Sequence, residues 1–370
     1  MRRGILRAGT TVFATAALPL ALALGLSAQT PSPIFTQGGS IPVLDSYLEA
    51  LRQQAGIPGM AAIILKDGEI VWEKGYGFAN TASRERVTPD TPFMIGDMSG
   101  TLAATLLLQC VELRRMGLDD PISRYGSSAP EPTATLRGLL SHATPEALRG
   151  IEPFAYNTDR YGHLTALMEW CAPQPYRKSV SHRVLNRLAM RDSVPGTDLV
   201  DPNLPLPEDL FAEDELARYR SVLQRIAVPY KVTGRNKADR MDLPIATMSA
   251  SGGLVSTVRD LAKLDRALTD ERILLLDETL AAAWNPVVDR SGQPTPMGLG
   301  WFVQFHRNER VVWHFGQIPN AYSSLILKLP AKGITFILLA NSDGLSNPFQ
   351  LQAGDVTRSL FATVFLKLTT

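Results

Sequence analysis

The sequence predicts an α/β fold: a mostly antiparallel sheet flanked by helices, with an inserted, mainly helical domain. Three observations predict it. Strand-like runs lie near both ends of the chain, at 60–74 and 299–339, and helical periodicity fills the middle. The chain has 370 residues, enough for about two domains. Its 45% hydrophobic and 20% charged residues are an ordinary globular mixture, which excludes a disordered, collagen-like or coiled-coil chain. Lys+Arg is 37 and Asp+Glu is 36, so no basic excess exists to neutralise a phosphate backbone, and nucleic acid is excluded as a partner. The five histidines have neither HxxH nor HExxH spacing, so no metal site and no cofactor are expected.

Residues 1–28 read as a signal peptide. Arg2, Arg3 and Arg7 precede an apolar run from Ala8 to Leu26, and Gly25, Ser27 and Ala28 are small enough for a cleavage site. The protein is therefore expected to be exported, periplasmic or secreted. The Arg2-Arg3 pair is also similar to a twin-arginine signal, and an uncleaved leader would anchor the chain to a membrane. Residues 29–41, rich in Pro, Gly, Ser and Thr, read as a linker. Outside the cytoplasm a Cys110–Cys171 bridge is permitted. Cys110 lies in an apolar helical run, so a small buried thiol is the simpler expectation.

Val43 to Gln54 has helical spacing. Met60–Leu65 and Glu69–Lys74 flank Asp67-Gly68, the signature of a hairpin with a type I′ turn. Residues 98–116 read as a helix stopped by Gly117, and further helices are expected at 161–170 and 176–188. The proline- and acid-rich stretch 193–215 reads as a surface loop. Val258 to Leu268 is helical. Strands are expected at 299–304, 310–314, 322–329 and 334–339, and an amphipathic helix at 350–367. The sheet domain is thus discontinuous, 42–95 and 250–370, around a helical domain at 96–249.

A series of short motifs then gives a resemblance. Ile57-Pro58-Gly59, Lys74-Gly75-Tyr76-Gly77, Leu118-Asp119-Asp120-Pro121 and Leu139-Leu140-Ser141-His142 occur in that order. Ser251-Gly252-Gly253-Leu254, Gly298-Leu299-Gly300-Trp301, His314-Phe315-Gly316 and Leu339-Ala340-Asn341-Ser342 follow. In this order they resemble the serine β-lactamase and penicillin-binding-protein family, on its class C β-lactamase, D,D-peptidase and esterase branch. The resemblance implies a β-lactamase/transpeptidase-like fold. It also implies a site with three elements: S-x-x-K at a helix start, Y-x-N, and K-T-G or H-x-G on a strand. The lysine would activate the serine, and backbone N–H groups would form an oxyanion hole.

The first element is missing. Its pattern F-x-I-G-S-x-x-K falls on Phe93-Met94-Ile95-Gly96-Asp97-Met98-Ser99-Gly100, so Asp97 stands at the nucleophile position and Gly100 at the lysine position. None of the nine lysines has a serine three residues before it. The second element keeps Tyr156, followed by Asn157 and Thr158 where the family has its asparagine third. The third, His314-Phe315-Gly316 followed by Gln317, is intact. The family's His-Thr-Ser-Gly stretch reads His142-Ala143-Thr144-Pro145. Tyr156, Asn157, Thr158, His314, Gly316 and Gln317 remain candidate pocket or ligand-binding residues.

Asp97 reads most simply as a helix N-cap, worth on the order of 1 kcal/mol. Its alternative is a base that activates water with Tyr156 or His314. Ser99 should point away from the pocket. Gly100 leaves space for close packing where a lysine stem would lie. The reading that follows is an exported, catalytically degenerate hydrolase-family protein with a retained cleft, binding a small acyl or cell-wall-like ligand or a protein partner. Two alternatives stand beside it. One is an active hydrolase rebuilt around Asp97, Tyr156 and His314, which requires a hydrogen bond from Asp97 to one of the other two. The other is a scaffold whose cleft is plugged by side chains.

Overall fold

The computed structural model describes Met1 and residues 40–126, 133–143, 154–207, 209–235, 237–289 and 292–370. The expected leader and nearly all of the linker lie outside these residues, as do Thr144 and Pro145.

Helix α1 (Ser40–Gln54) leads into β1 (Gly59–Lys66) and β2 (Glu69–Asn80). Asp67 (φ 50°) and Gly68 (φ 78°) are both left-handed, the type I′ geometry that the Asp-Gly pair predicts. Short β3 (Glu85–Arg86) and β4 (Phe93–Met94) precede α2 (Ser99–Glu112). Then come α3 (Leu136–Leu140), α4 (Thr158–Gly162), α5 (Leu164–Cys171) and α6 (Tyr176–Val180). Next are β5 (Val194–Pro195), α7 (Glu213–Leu223) and the hairpin β6 (Tyr230–Gly234) and β7 (Lys237–Arg240). The chain returns through β8 (Leu254–Ser256), α8 (Val258–Thr269) and α9 (Asp277–Ala283). It finishes with β9 (Phe302–His306), β10 (Glu309–Ile318), β11 (Tyr322–Leu329), β12 (Ile334–Ala340) and α10 (Leu360–Thr369).

The main sheet has seven strands in the order β3-β2-β1-β12-β11-β10-β9. Its neighbouring pairs are antiparallel, so the N- and C-terminal strand groups join at β1–β12 as expected. Side-chain alternation divides the core. Ala61, Ile63 and Leu65 face α2 and α8, while Met60, Ala62 and Ile64 face α1 and α10. Both faces are covered, which is why β11 and β12 are apolar with little alternation. Lys328 is the exception in β11. It is buried and ion-paired with the equally buried Asp265 of α8, and also donates to Thr269 and Thr335.

Several expectations need correction. Helix α2 ends at Glu112, four residues early, and Arg114 turns left-handed (φ 55°) before Gly117 is reached. The stretch 193–215 is not simply a surface loop. Val194 pairs with Val255 of β8, and Asp198 forms a buried ion pair with Arg177 (2.8 Å). The C-terminal helix is regular only from Leu360, where Ser359 caps it.

Cys110 is not a free buried thiol. It is disulfide-bonded to Cys171, with the two Cα atoms 6.3 Å apart, and so ties the end of α5 to α2. In the chain-entropy account a closed loop of this size contributes about 4 kcal/mol, with measured cases spreading over about 2–5. Cys110→Ala/Cys171→Ala is therefore expected to lower unfolding free energy by about 2–4 kcal/mol in urea titrations, with the sheet's far-UV signal preserved before the transition.

Candidate active site

The first-motif segment is set by a close approach of two backbones. Gly96 (φ +58°) opens a 3₁₀ turn, Gly96–Met98, just before α2. A Cβ at Gly96 would lie 2.8 Å from the Gln317 nitrogen, and one at Gly316 only 1.8 Å from the Ile95 oxygen. Glycine is required on both sides of this contact. Ser324 of β11 donates to the same Ile95 carbonyl (2.7 Å), and Ile95 donates to Leu254 of β8 (3.0 Å). Strand β9 pairs with β10 only as far as Trp313. The edge from His314 to Gln317 therefore stays free to face the turn.

This contact places Asp97 against the end of β10. Its carboxylate faces the backbone N–H groups of Gln317 and of Asp97 itself, which favour its charged form. These two donors stand where the family resemblance places an oxyanion hole, and the side chain at position 97 lies beside them. Asp97 caps neither the 3₁₀ turn nor α2, since no side-chain cap is made at either N-terminus. The N-cap expectation is corrected accordingly.

Gly100 is the second residue of α2. A Cβ there would come 2.9 Å from Cε1 of Tyr161, so the ring of Tyr161 fills the volume of any side chain at position 100. Tyr161 stacks on His142 (centroids 4.8 Å apart, planes within 8°), and His142 stacks on Tyr156 (4.4 Å). Tyr156 continues into Phe302 (5.5 Å) and Phe315 (5.2 Å). The Tyr161 hydroxyl is buried and has no hydrogen-bond partner.

Asp97, Tyr156, Thr158 and His314 line one cavity together with His142, Tyr161 and Ser251. Its volume is about 10 Å³, at the threshold for a single water. Gly316 and Gln317 adjoin through their backbone. Asn157 does not line it: its side chain caps α4, accepting from Asp159 (2.9 Å) and Arg160 (3.2 Å). Ser99 is buried with an unpartnered Oγ and is not among the lining residues. Among the described residues, no hydrogen bond joins Asp97 to Tyr156 or His314. His142, Tyr161 and Ser251 were not singled out as site residues by sequence. His142 and Ser251 stand in motifs that carried the resemblance, whereas Tyr161 reads only as a helix residue.

The lining carries no lysine or arginine among the described residues, and burial dominates its electrostatics. It pushes the Asp97 carboxyl up to about 7, against the lowering effect of the two N–H donors. Burial and the Asp97 charge hold the Tyr156 phenol well above its usual value. The His314 imidazole falls to about 4, again through burial, while its Nδ1 lies 2.7 Å from the Phe315 carbonyl. Burial, with His314 beside it, lowers His142 to about 3, and its Nδ1 accepts from the Asn157 backbone (3.0 Å). Near neutrality both histidines are uncharged and Tyr156 keeps its proton. Asp97 is the group in the cavity that changes charge there.

With this geometry in view, comparison with known proteins is direct. The β-lactamase family model matches residues 44–356, and the chain belongs to that family. It is similar to an unguisins hydrolase of Aspergillus campestris, 23% identical over 350 residues, covering 84% of this chain and 64% of that one. The chain spans about 64% of the length of the first curated relatives it matches. Among solved structures, it resembles the octameric penicillin-binding protein homologue from Pyrococcus abyssi (TM-score 0.69, 20% identity), over 89% of this chain and 77% of that one. It also resembles the D-amino acid amidase from Ochrobactrum anthropi (TM-score 0.64, 20% identity), over 88% and 98%. These likenesses show the fold.

The raised Asp97 carboxyl fixes the sign of a pH effect. An unfolded aspartate ionises near pH 4, and the folded one at about 7. Its penalty on folding is absent below the first value, grows between the two, and is complete above the second. Asp97→Asn keeps an acceptor for both N–H groups and removes the penalty. It is expected to raise the melting temperature at about pH 8 and to change it little at about pH 4, read by thermal unfolding across that range.

Proposed function

We propose that this protein is an exported, catalytically degenerate member of the β-lactamase family whose acylation site is closed by its own side chains. The observation that carries this reading is the Asp97 side chain standing in the site lining and facing the Gln317 and Asp97 N–H groups. An acyl intermediate needs a nucleophile, and it needs those donors free for the developing oxyanion. Here one side chain replaces the first and lies beside the second. Tyr161 fills the lysine volume as well, which supports a closed cleft in place of the retained one expected from sequence. Any recognition of a small acyl or cell-wall-like ligand, or of a protein partner, would then use other surfaces. Export is supported by the leader-like residues 1–28.

A second reading has one observation in its favour. A carboxylate that ionises at about pH 7 is well tuned as a general base for water, and the relatives include proteins named hydrolase and amidase. The absence of a hydrogen bond from Asp97 to Tyr156 or His314 counts against it.

The test is hydrolysis of nitrocefin and p-nitrophenyl acetate, together with labelling by a fluorescent penicillin. The native protein is expected to be silent in all three. Asp97→Ser/Gly100→Lys should stay silent, because Tyr161 blocks the lysine, and should lose about 1–3 kcal/mol through overpacking. Adding Tyr161→Ala is expected to restore penicillin labelling. Native turnover abolished by Asp97→Asn would establish the rebuilt hydrolase instead.

A further inference from the structure

A second cavity, of about 600 Å³, lies at the opposite end of the sheet from Asp97. It is bounded by the β1–β2 turn, the β11–β12 turn and the C-terminal end of α8, with Trp284 in its wall. Ser323, the β11 partner of Gln317, and Lys328 stand at opposite ends of that strand. Five residues of extended chain separate them, about 17 Å. The volume falls in the range of small-ligand sites, and it greatly exceeds that of the closed Asp97 cavity.

The charges in this cavity divide unequally once their partners are assigned. Lys328 spends its three donors on Asp265, Thr269 and Thr335. Lys66 is held by Asp67 (2.6 Å) and the Lys332 carbonyl (2.8 Å). Lys332 binds the Thr369 carbonyl (2.6 Å) and lies 3.4 Å from Glu309. Arg272 is paired with Asp277 and bonded to the Thr269 carbonyl. Arg266, beside the cavity, is taken by Glu271 (3.0 Å). Asp270 alone keeps its carboxylate without a hydrogen bond or ion pair among the described residues.

The position of Asp270 is unfavourable for an acid. It is the C-cap of α8, at the negative end of the helix dipole. Asp270 is exposed at the mouth of the cavity, and partial burial with the carboxylates of Asp265 and Asp67 acts to raise its pKa, partly offset by Lys328 and Arg272. A cation bound there would meet the free Asp270 carboxylate at the negative end of the helix dipole, while the Thr269 carbonyl is already taken by Arg272. Among the described residues, each lysine and arginine of the wall already has a carboxylate partner.

We infer that this cavity binds a small organic cation, a primary ammonium on a polar body, through the free Asp270 carboxylate at the end of α8. Asp270 is the specificity-determining residue, and the paired Lys328–Asp265 floor keeps the cavity open and polar. The inference is independent of whether the Asp97 site is closed.

Putrescine, butanediol and succinate are matched in length and differ in charge, so they serve as probes for the full-length protein. Calorimetry and thermal shift at physiological salt should show binding of putrescine at millimolar concentration or below, and none of butanediol or succinate. Asp270→Asn is expected to raise the melting temperature of the free protein, by relieving the helix end, and to weaken putrescine at least tenfold. Asp97→Asn should leave putrescine binding unchanged, which separates this site from the first. The inference is overturned if putrescine does not bind, if butanediol or succinate binds as well, or if Asp270→Asn binds putrescine like the native protein.

Discussion

The backbone contact between the Gly96 turn and the end of β10 is the constraint from which the candidate site follows. Two chains meet there at a distance that leaves no room for a Cβ on either side. It brings the Gln317 N–H beside the N–H of residue 97, whatever side chain that residue carries. The two donors belong to the backbone, so they are present whichever side chain stands at position 97. They must still be satisfied, and a carboxylate one residue away in space is a ready acceptor. The Asp97 carboxylate faces both N–H groups, which favour its charged form. The cost is an anion buried without a cation, which its raised pKa records.

The aromatic stack follows the same logic on the other side of the site. Where a lysine stem would run, Gly100 leaves a gap, and an empty gap in a core is expensive. Tyr161 fills it, with His142 and Tyr156 stacked behind and both imidazoles driven to the neutral form by burial. Polar side chains that resemble catalytic machinery by residue type are here held largely as packed rings.

Much of the fold was legible because alternation and turn chemistry are local. The Asp67-Gly68 turn, the span of β11 and the apolar run of β12 follow directly from residue type. The hairpin β6–β7 and helix α7 were missed. Their buried anchors, Tyr219 and Tyr230, are isolated aromatics in polar sequence, and what holds them is tertiary: Tyr230 reaches Thr81, and Tyr219 reaches Ser181. At the site, the absence of S-x-x-K and the survival of Tyr156 and His314 were plain. That Asp97 would face the Gln317 backbone rather than cap its helix was not, because Gln317 lies 220 residues away in sequence and arrives only through the sheet. Tyr161 was invisible for the same reason. Asn157 carried pocket chemistry by residue type, yet its local N-cap bonds commit it to α4.

The Cys110–Cys171 bond bears on which molecule an experimenter holds. Both sulfurs are buried, so a chain made in a reducing cytoplasm would fold around two thiols that an oxidant added later reaches poorly. A preparation from an oxidising compartment and one from the cytosol would then be different species, lighter and heavier by two hydrogens. Their α2–α5 contacts would open at different rates under proteolysis. Mass spectrometry of the intact chain should therefore precede any comparison of melting temperatures between laboratories.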